Sequence, residues 1–456
     1  MIVSFSVSNF RSFFMEETFS LVASNRLSDS HTDHLAPIPN TKEKVLRTGV
    51  LYGANGAGKS NLFKALQYVK SVALQSRGNA RTGREVFRLK PAIDQPSSFD
   101  LQFIAEDKLY RFGFKLDDQR ISEEWLVEVT GGRERVLYER ITDNKGQVSV
   151  EARGLTTPGE KLVALATVGG PQNQSFLATI HATLSPSDVG EELNGVLNWF
   201  KKSLVLIGPD QFFGQLGNAL LERTGLLDLT NEFLKFSSTG VDHLIVSKTQ
   251  ISPEDVRNLL PERLFSEVME NIDKDENGST CVQLSQGNEL LIQRTGEDQY
   301  FQIQIQAAHQ NHEGGVEAFK LNQESDGTRR LLNLIPALHH LRNSSAVYFI
   351  DEIDRSLHPM LVRTFLESFL KSCGGGHRQI IVTTHESNLL DQDLLRRDEI
   401  WFAEKDQGGS TKLYSLVDFK VRKDLEIRKH YLEGRFGAIP FFGDIDGLLS
   451  ERGKAE

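Results

Sequence analysis

The chain has 456 residues, long enough for a large core and two or more lobes. Its 39% hydrophobic and 25% charged residues are those of an ordinary globular protein, and a net charge of −10 disfavours a surface that binds nucleic acid as a whole. No apolar run is long enough to span a bilayer and no signal peptide opens the chain. The two cysteines, Cys281 and Cys373, are far apart and lack metal-type spacing, which fits a reducing cytosol and argues against a disulfide scaffold or a zinc site. The absence of heptads argues against a long coiled-coil arm.

Val3, Phe5 and Val7 alternate with serines and predict a half-buried strand. Asn9-Phe10-Arg11-Ser12-Phe13 reads locally as a turn carrying two core aromatics. Residues 24–44 are polar, with Pro37, Pro39 and Asn40, and read as a loop. Val50-Leu51-Tyr52 then predicts a short buried strand. It runs into Gly53-Ala54-Asn55-Gly56-Ala57-Gly58-Lys59-Ser60, which fits the phosphate-binding pattern G-x-x-x-x-G-K-[ST] at every fixed position. From Asn61 a helical face follows with Leu62, Phe63, Leu66 and Val69. In this strand–loop–helix setting the glycines let backbone N–H groups close around phosphate oxygens, assisted by the positive helix end. Lys59 is expected at the β- and γ-phosphates of ATP and the Ser60 hydroxyl on Mg²⁺.

Arg77 to Arg84 reads as an exposed basic loop. Runs at 101–104, 109–114 and 125–129 predict an antiparallel sheet beside the nucleotide-binding core. Between about Ser185 and Ile272 the pattern turns helical, divided by Pro186, Pro209, Pro253 and Pro261. Phe301, Ile303 and Ile305 alternate with glutamines, a strand signal. Glu324-Ser325-Asp326-Gly327-Thr328 opens an apolar helix with Ser325 as its N-cap, and Pro336 is expected to kink it or cap its useful length. Ala346 to Ile350 is a buried strand ending in Asp351-Glu352. Two adjacent carboxylates there repel one another and suit metal chemistry: Asp351 holding Mg²⁺, Glu352 orienting or deprotonating a water. Asp354 and His358-Pro359 follow, and a second buried strand, Gln379 to Thr384, ends at His385, which is placed to donate to a γ-phosphate. Ile400-Trp401-Phe402 and Leu413 to Leu416 read as closing strands.

Taken in order, these motifs resemble the ABC-type ATPase heads of SMC and RecF proteins. They are more closely similar to the AAA15 family of bacterial ATPases. The resemblance implies an α/β head with an antiparallel β lobe and a helical insertion. The parts divide as 1–184, 185–275 and 276–456, with only loose coverage of 150–280. It implies that Gly53, Ala54, Asn55, Gly56, Ala57, Gly58, Lys59, Ser60 and Asn61 bind the nucleotide, with Arg11 reaching its phosphates. Asp351 is implied as a metal ligand beside Ser60, Glu352 as the catalytic base and His385 as the switch histidine. Asp354 is the implied D-loop residue. Ser325 and Gly327 are implied as a signature motif presented in trans to a second head. Gln172 and Gln174 are the candidates for a Q-loop.

No nuclease segment is visible after the head. That layout resembles the ATPase subunits of two-gene anti-phage modules. The resemblance implies a cytoplasmic homo-oligomer built on ATP-sandwiched heads, a phage trigger protein, and a separately encoded effector nuclease, Toprim or, in the Septu type, HNH. Competing readings are a RecF-like repair ATPase that clamps DNA and, less well supported, a transporter ATPase. No guanine motif follows the phosphate loop, which disfavours GTP.

Overall fold

The computed structural model describes residues 1–439 apart from 79, 91–94, 156–158, 210–215, 274–278, 284–288, 295–298, 373–374, 421 and 423–424. The fold is mixed α/β with antiparallel sheets, as expected. The chain forms two compact bodies: Met1–Gly208 with Ser344–Ile353 and Leu370–Glu456, and Pro209–Asn343 with Asp354–Phe369.

The first body holds two large sheets and a small two-stranded one. In the six-stranded one the order is Leu204–Ile207, Val347–Ile350, Gln379–Thr383, Thr48–Tyr52, Ile400–Lys405, Thr411–Ser415. The first five strands are parallel and the last pairs antiparallel. Every residue of Thr48–Tyr52, Val347–Ile350 and Gln379–Thr383 is buried. This is why these strands read as continuous apolar runs rather than alternating ones. The second sheet is antiparallel, seven strands in the order 148–151, 133–142, 121–130, 108–116, 97–105, 2–8, 17–20. The predicted strands around 3–7, 101–104, 109–114 and 125–129 all lie in it.

Aromatic rings fill the space beneath this lobe. Phe10, Tyr68, Phe99 and Phe114 form one chain of ring contacts and Phe103, Phe112, Trp199 and Phe200 another, with centroids 4.2–5.5 Å apart along them. One buried amide ties the two sheets together. Gln379 donates to the carbonyls of Ile2 (2.9 Å) and Leu46 (2.8 Å) and accepts from Ile2 N at 2.7 Å.

The second body contains a sheet ordered 243–251, 300–310, 289–294, 279–283, with Val316–Lys320 also paired to Tyr300–Gln310. Helices Leu216–Glu222, Leu226–Phe236 and Asp326–Asn343 share a core of Leu220, Leu226, Leu234, Leu331 and Ile335.

Three expectations change here. Residues 185–275, read as a helical insertion, hold strands as well as helices. Leu204–Ile207 is an edge strand of the parallel sheet, and His243–Ile251 pairs with Tyr300–Gln310. A four-residue apolar strand is too short to show a period against the helix before it. Pro336 does not cap the length of its helix, which runs from Asp326 to Asn343; burial of Leu334, Ile335, Leu338 and Leu341 outweighs the lost N–H donor. The polar stretch 24–44 carries two 3₁₀ turns and a short hairpin, Leu35–Pro37 with Lys44–Leu46.

Candidate functional site

Three neighbouring parallel strands end side by side. Ile350 pairs with Val382, and Thr383 with Leu51. The segments leaving them are the phosphate loop after Tyr52, Asp351-Glu352 after Ile350, and Thr384-His385 after Thr383. With strands about 4.8 Å apart, the outer two lie roughly 10 Å from each other, and the carboxyl ends of such strands are where ligands bind in parallel sheets.

The loop is glycine-rich for steric reasons visible at Gly58. Its φ is +112°, and a Cβ there would meet Thr411 Oγ1 at 2.1 Å and Ser12 Oγ at 2.9 Å. The helix it opens, Lys59–Leu74, has no side-chain cap, so its first N–H groups stay available to an anion. Lys59 is 5% exposed. Its ammonium donates to the carbonyls of Gly53 (2.8 Å) and Ala54 (3.3 Å) and to His385 Nε2 at 2.9 Å. An ammonium only donates, so His385 Nε2 accepts and the histidine carries its proton on Nδ1.

The carboxylates are set by Thr383. Its hydroxyl donates to Asp351 Oδ1 at 2.6 Å and accepts from the backbone N–H of Glu352 at 2.8 Å. Asp351 is 1% exposed and Glu352 half-buried. Glu352 has φ +50°, the left-handed region that is costly for a side-chain-bearing residue by about 1–3 kcal/mol and is found at functional sites. Thr383→Val removes both hydrogen bonds at nearly constant volume. We expect a stability loss of about 1–3 kcal/mol in denaturant titrations.

The Asn9–Phe13 turn is fastened to the phosphate loop. Ser12 Oγ accepts from Asn61 Nδ2 and shares a hydrogen bond with Thr411 Oγ1, both at 2.8 Å; the Thr411 hydroxyl donates to the Ala57 carbonyl at 2.8 Å and its N–H to the Ser12 carbonyl at 2.8 Å. Asn9 and Arg11 both have positive φ, +47° and +49°. Arg11 pairs with Glu85 at 2.5 Å, an exposed pair of the kind worth less than about 1 kcal/mol. Arg11, Ser12, Asn61, Arg88 and Lys405 line one groove of about 280 Å³. The neighbouring basic loop is partly anchored rather than simply solvated: Arg84 pairs with Asp118 at 2.6 Å, and Arg77 lies over the Tyr68 ring. Burial pushes the Tyr68 hydroxyl up to about 12.

Thus the first body brings together Lys59 and His385, and separately Asp351, Glu352 and Thr383, at adjoining strand ends. Ser60 follows Lys59 on the same helix end. Ser325, Gly327 and Asp354 belong to the second body. There Ser325 caps its helix, accepting from Thr328 N–H at 3.1 Å, and a Cβ on Gly327 would meet the Ser356 carbonyl at 2.8 Å. Neither Q-loop candidate suits that role. The Gln174 amide is taken up by Ser76, Arg77 and Thr179. It therefore sits beyond the C-terminal end of the Lys59–Leu74 helix, roughly 22 Å from the loop at 1.5 Å per residue. Gln172 lies against Gly146, and its carbonyl accepts from Ile121 N–H. The local motifs did not reveal Thr383, Ser12 and Thr411. A threonine ending an apolar strand is a faint signal, and the other two act across nearly 400 residues of sequence.

The donor set suits Mg²⁺: a serine hydroxyl at the head of the helix and a buried carboxylate, both hard oxygen ligands. Among the described residues no helix is long and apolar enough to cross a membrane.

No curated protein matches the chain in sequence. Among solved structures, the SMC head domain from Thermotoga maritima aligns at TM-score 0.36 and 12% identity, over 91% of this chain and 98% of that one. An SMC head bound to the C-terminal winged-helix domain of ScpA gives 0.37 and 14%, over 91% and 97%. An SMC head with an extended coiled coil, bound to a ScpA C-terminal domain derived from Pyrococcus furiosus, gives 0.34 and 11%, over 91% and 96%. Residues 50–391, well over half of the chain and including the phosphate loop, Asp351-Glu352 and His385, match the sequence family described as "AAA domain, putative AbiEii toxin, Type IV TA system". The chain belongs to this family of AAA domains.

Proposed function

We propose that the chain binds and hydrolyses ATP with Mg²⁺ as an ABC-type ATPase. The observation that carries this reading is the alignment, at adjoining ends of one parallel sheet, of a phosphate loop whose lysine touches His385 and an acidic pair held by Thr383. In this reading the loop N–H groups and Lys59 hold the β- and γ-phosphates, and Ser60 and Asp351 hold the metal. Mg²⁺, when bound, neutralises charge on the phosphate oxygens. Lys59 leaves the carbonyls of Gly53 and Ala54 for the phosphates, and Glu352 takes a proton from the attacking water. His385, freed from Lys59, turns its donor to the γ-phosphate, and Arg11 exchanges Glu85 for phosphate. Ser325 and Gly327 complete the site of a second copy, with Asp354 beside it. Hydrolysis then loosens the paired heads.

At the level of biology, we propose a cytoplasmic sensor and scaffold in a two-gene anti-phage module. It resembles AriA, the ATPase of the PARIS system, and holds a Toprim effector nuclease that it releases or activates when a phage protein appears. The family's description as part of a toxin–antitoxin system supports a two-component arrangement. Co-expression with the neighbouring gene is the test. We expect a stable complex and toxicity only on infection, lost in Lys59→Ala. A chain that purifies alone and gives no infection-dependent toxicity refutes the defence reading and leaves the ATPase reading to its own assay.

A further inference from the structure

The polar stretch after the second strand contains an arrangement that the ATPase reading does not use. His31 precedes a 3₁₀ turn, Thr32–His34, and positions i and i+3 of such a turn eclipse. The His31 and His34 rings accordingly lie stacked, with centroids 4.7 Å apart and planes 28° from parallel. One donor atom from each of His31, Asp33 and His34 falls within 4.8 Å of the other two.

Both rings already have one nitrogen committed. His34 Nδ1–H donates to the Glu399 carboxylate, 3.0 and 3.1 Å from its two oxygens. His31 Nε2–H donates to the Gln392 carbonyl at 2.7 Å. These bonds fix the tautomers and leave His34 Nε2 and His31 Nδ1 as lone-pair donors. A histidine whose other N–H is held by a carboxylate or carbonyl is oriented and made more basic, as metal-binding histidines are. His34 is only 3% exposed, and its Nε2 makes no hydrogen bond among the described residues. The support behind it is rigid. Glu399, fully buried, accepts from Arg396 N–H at 2.8 Å, and the Arg396 guanidinium grips Asp398 at 2.9 and 2.8 Å.

We propose that His31, Asp33 and His34 form a binding site for a divalent transition metal of the Zn²⁺ or Co²⁺ type. Two imidazole nitrogens and one carboxylate oxygen are its ligands, and water completes the shell. Two nitrogen donors favour such an ion over Mg²⁺, which takes oxygen ligands. The site uses no residue of the phosphate loop or the acidic pair, so it stands or falls independently of ATP hydrolysis. A bound ion would brace the 31–34 turn, whose histidines are hydrogen-bonded to Gln392 and Glu399.

The test uses the full chain, stripped with chelator and titrated with CoCl₂ without nucleotide. We expect one equivalent to bind, with visible ligand-field absorption and a rise in Tm of several degrees. Both signals should be lost in His31→Ala, whose side chain is only half-buried and whose removal spares the Glu399 network. His312→Ala, on an exposed turn, should keep both. A structural His34–Glu399 pair alone predicts no cobalt signal. No absorption in the wild type, or equal binding by His31→Ala, overturns the proposal.

Discussion

Glu352→Gln is expected to bind ATP as tightly as the parent chain and to hydrolyse it about 10²- to 10⁴-fold more slowly, the range associated with a lost general base. The substitution keeps the size of the side chain and the backbone N–H that donates to Thr383 at 2.8 Å, so the left-handed turn at φ +50° has no new reason to relax. Single-turnover phosphate release and nucleotide titration separate the two effects. An unchanged hydrolysis rate removes Glu352 from the chemistry.

The second large effect is at Lys59. Lys59→Ala takes away the one ammonium in the loop, and a hydrogen bond to a charged partner contributes about 1.5–3 kcal/mol, or roughly 10- to 100-fold in the Kd for ATP. Turnover should vanish with it. A folding cost of about 1–3 kcal/mol is expected beside it, because the buried Gly53 carbonyl loses its donor. Lys59→Arg should not rescue affinity, since a planar fork cannot occupy the space of a compact ammonium. Equilibrium binding of a fluorescent ATP analogue reads this directly, and parent-like affinity in Lys59→Ala contradicts the phosphate-binding role.

Much of this site is legible from local pattern. The phosphate loop reads clearly because backbone geometry permits few residue types there, and the steric wall of Thr411 and Ser12 around Gly58 shows why. The strand before Asp351 reads clearly because a fully buried parallel strand has to be apolar throughout. What stays hidden depends on partners distant in sequence. Thr383 looks like any strand residue until its neighbour in the sheet is known to carry Asp351. Leu204–Ile207 is four apolar residues after a helix, and only its pairing with Val347–Ile350 makes it a strand. His31 and His34 disappear into a stretch whose prolines and polar residues say only loop. Gln174 shows the converse. It is a glutamine in a suggestive place by sequence, and its amide is consumed at the wrong end of a helix.

The interleaving of the parallel sheet has a consequence for biosynthesis. The strand that launches the phosphate loop, Thr48–Tyr52, is flanked on one side by Gln379–Thr383 and on the other by Ile400–Lys405. On the ribosome it waits, with both edges unpaired, while more than three hundred further residues are made. At about 5–20 residues per second that interval lasts tens of seconds, during which an apolar strand edge is open to the wrong neighbours. Asp351, Glu352 and His385, which adjoin the phosphate loop, are likewise made only toward the end of this interval. Growth temperature and the supply of chaperones should therefore govern the yield of active protein more than added nucleotide does.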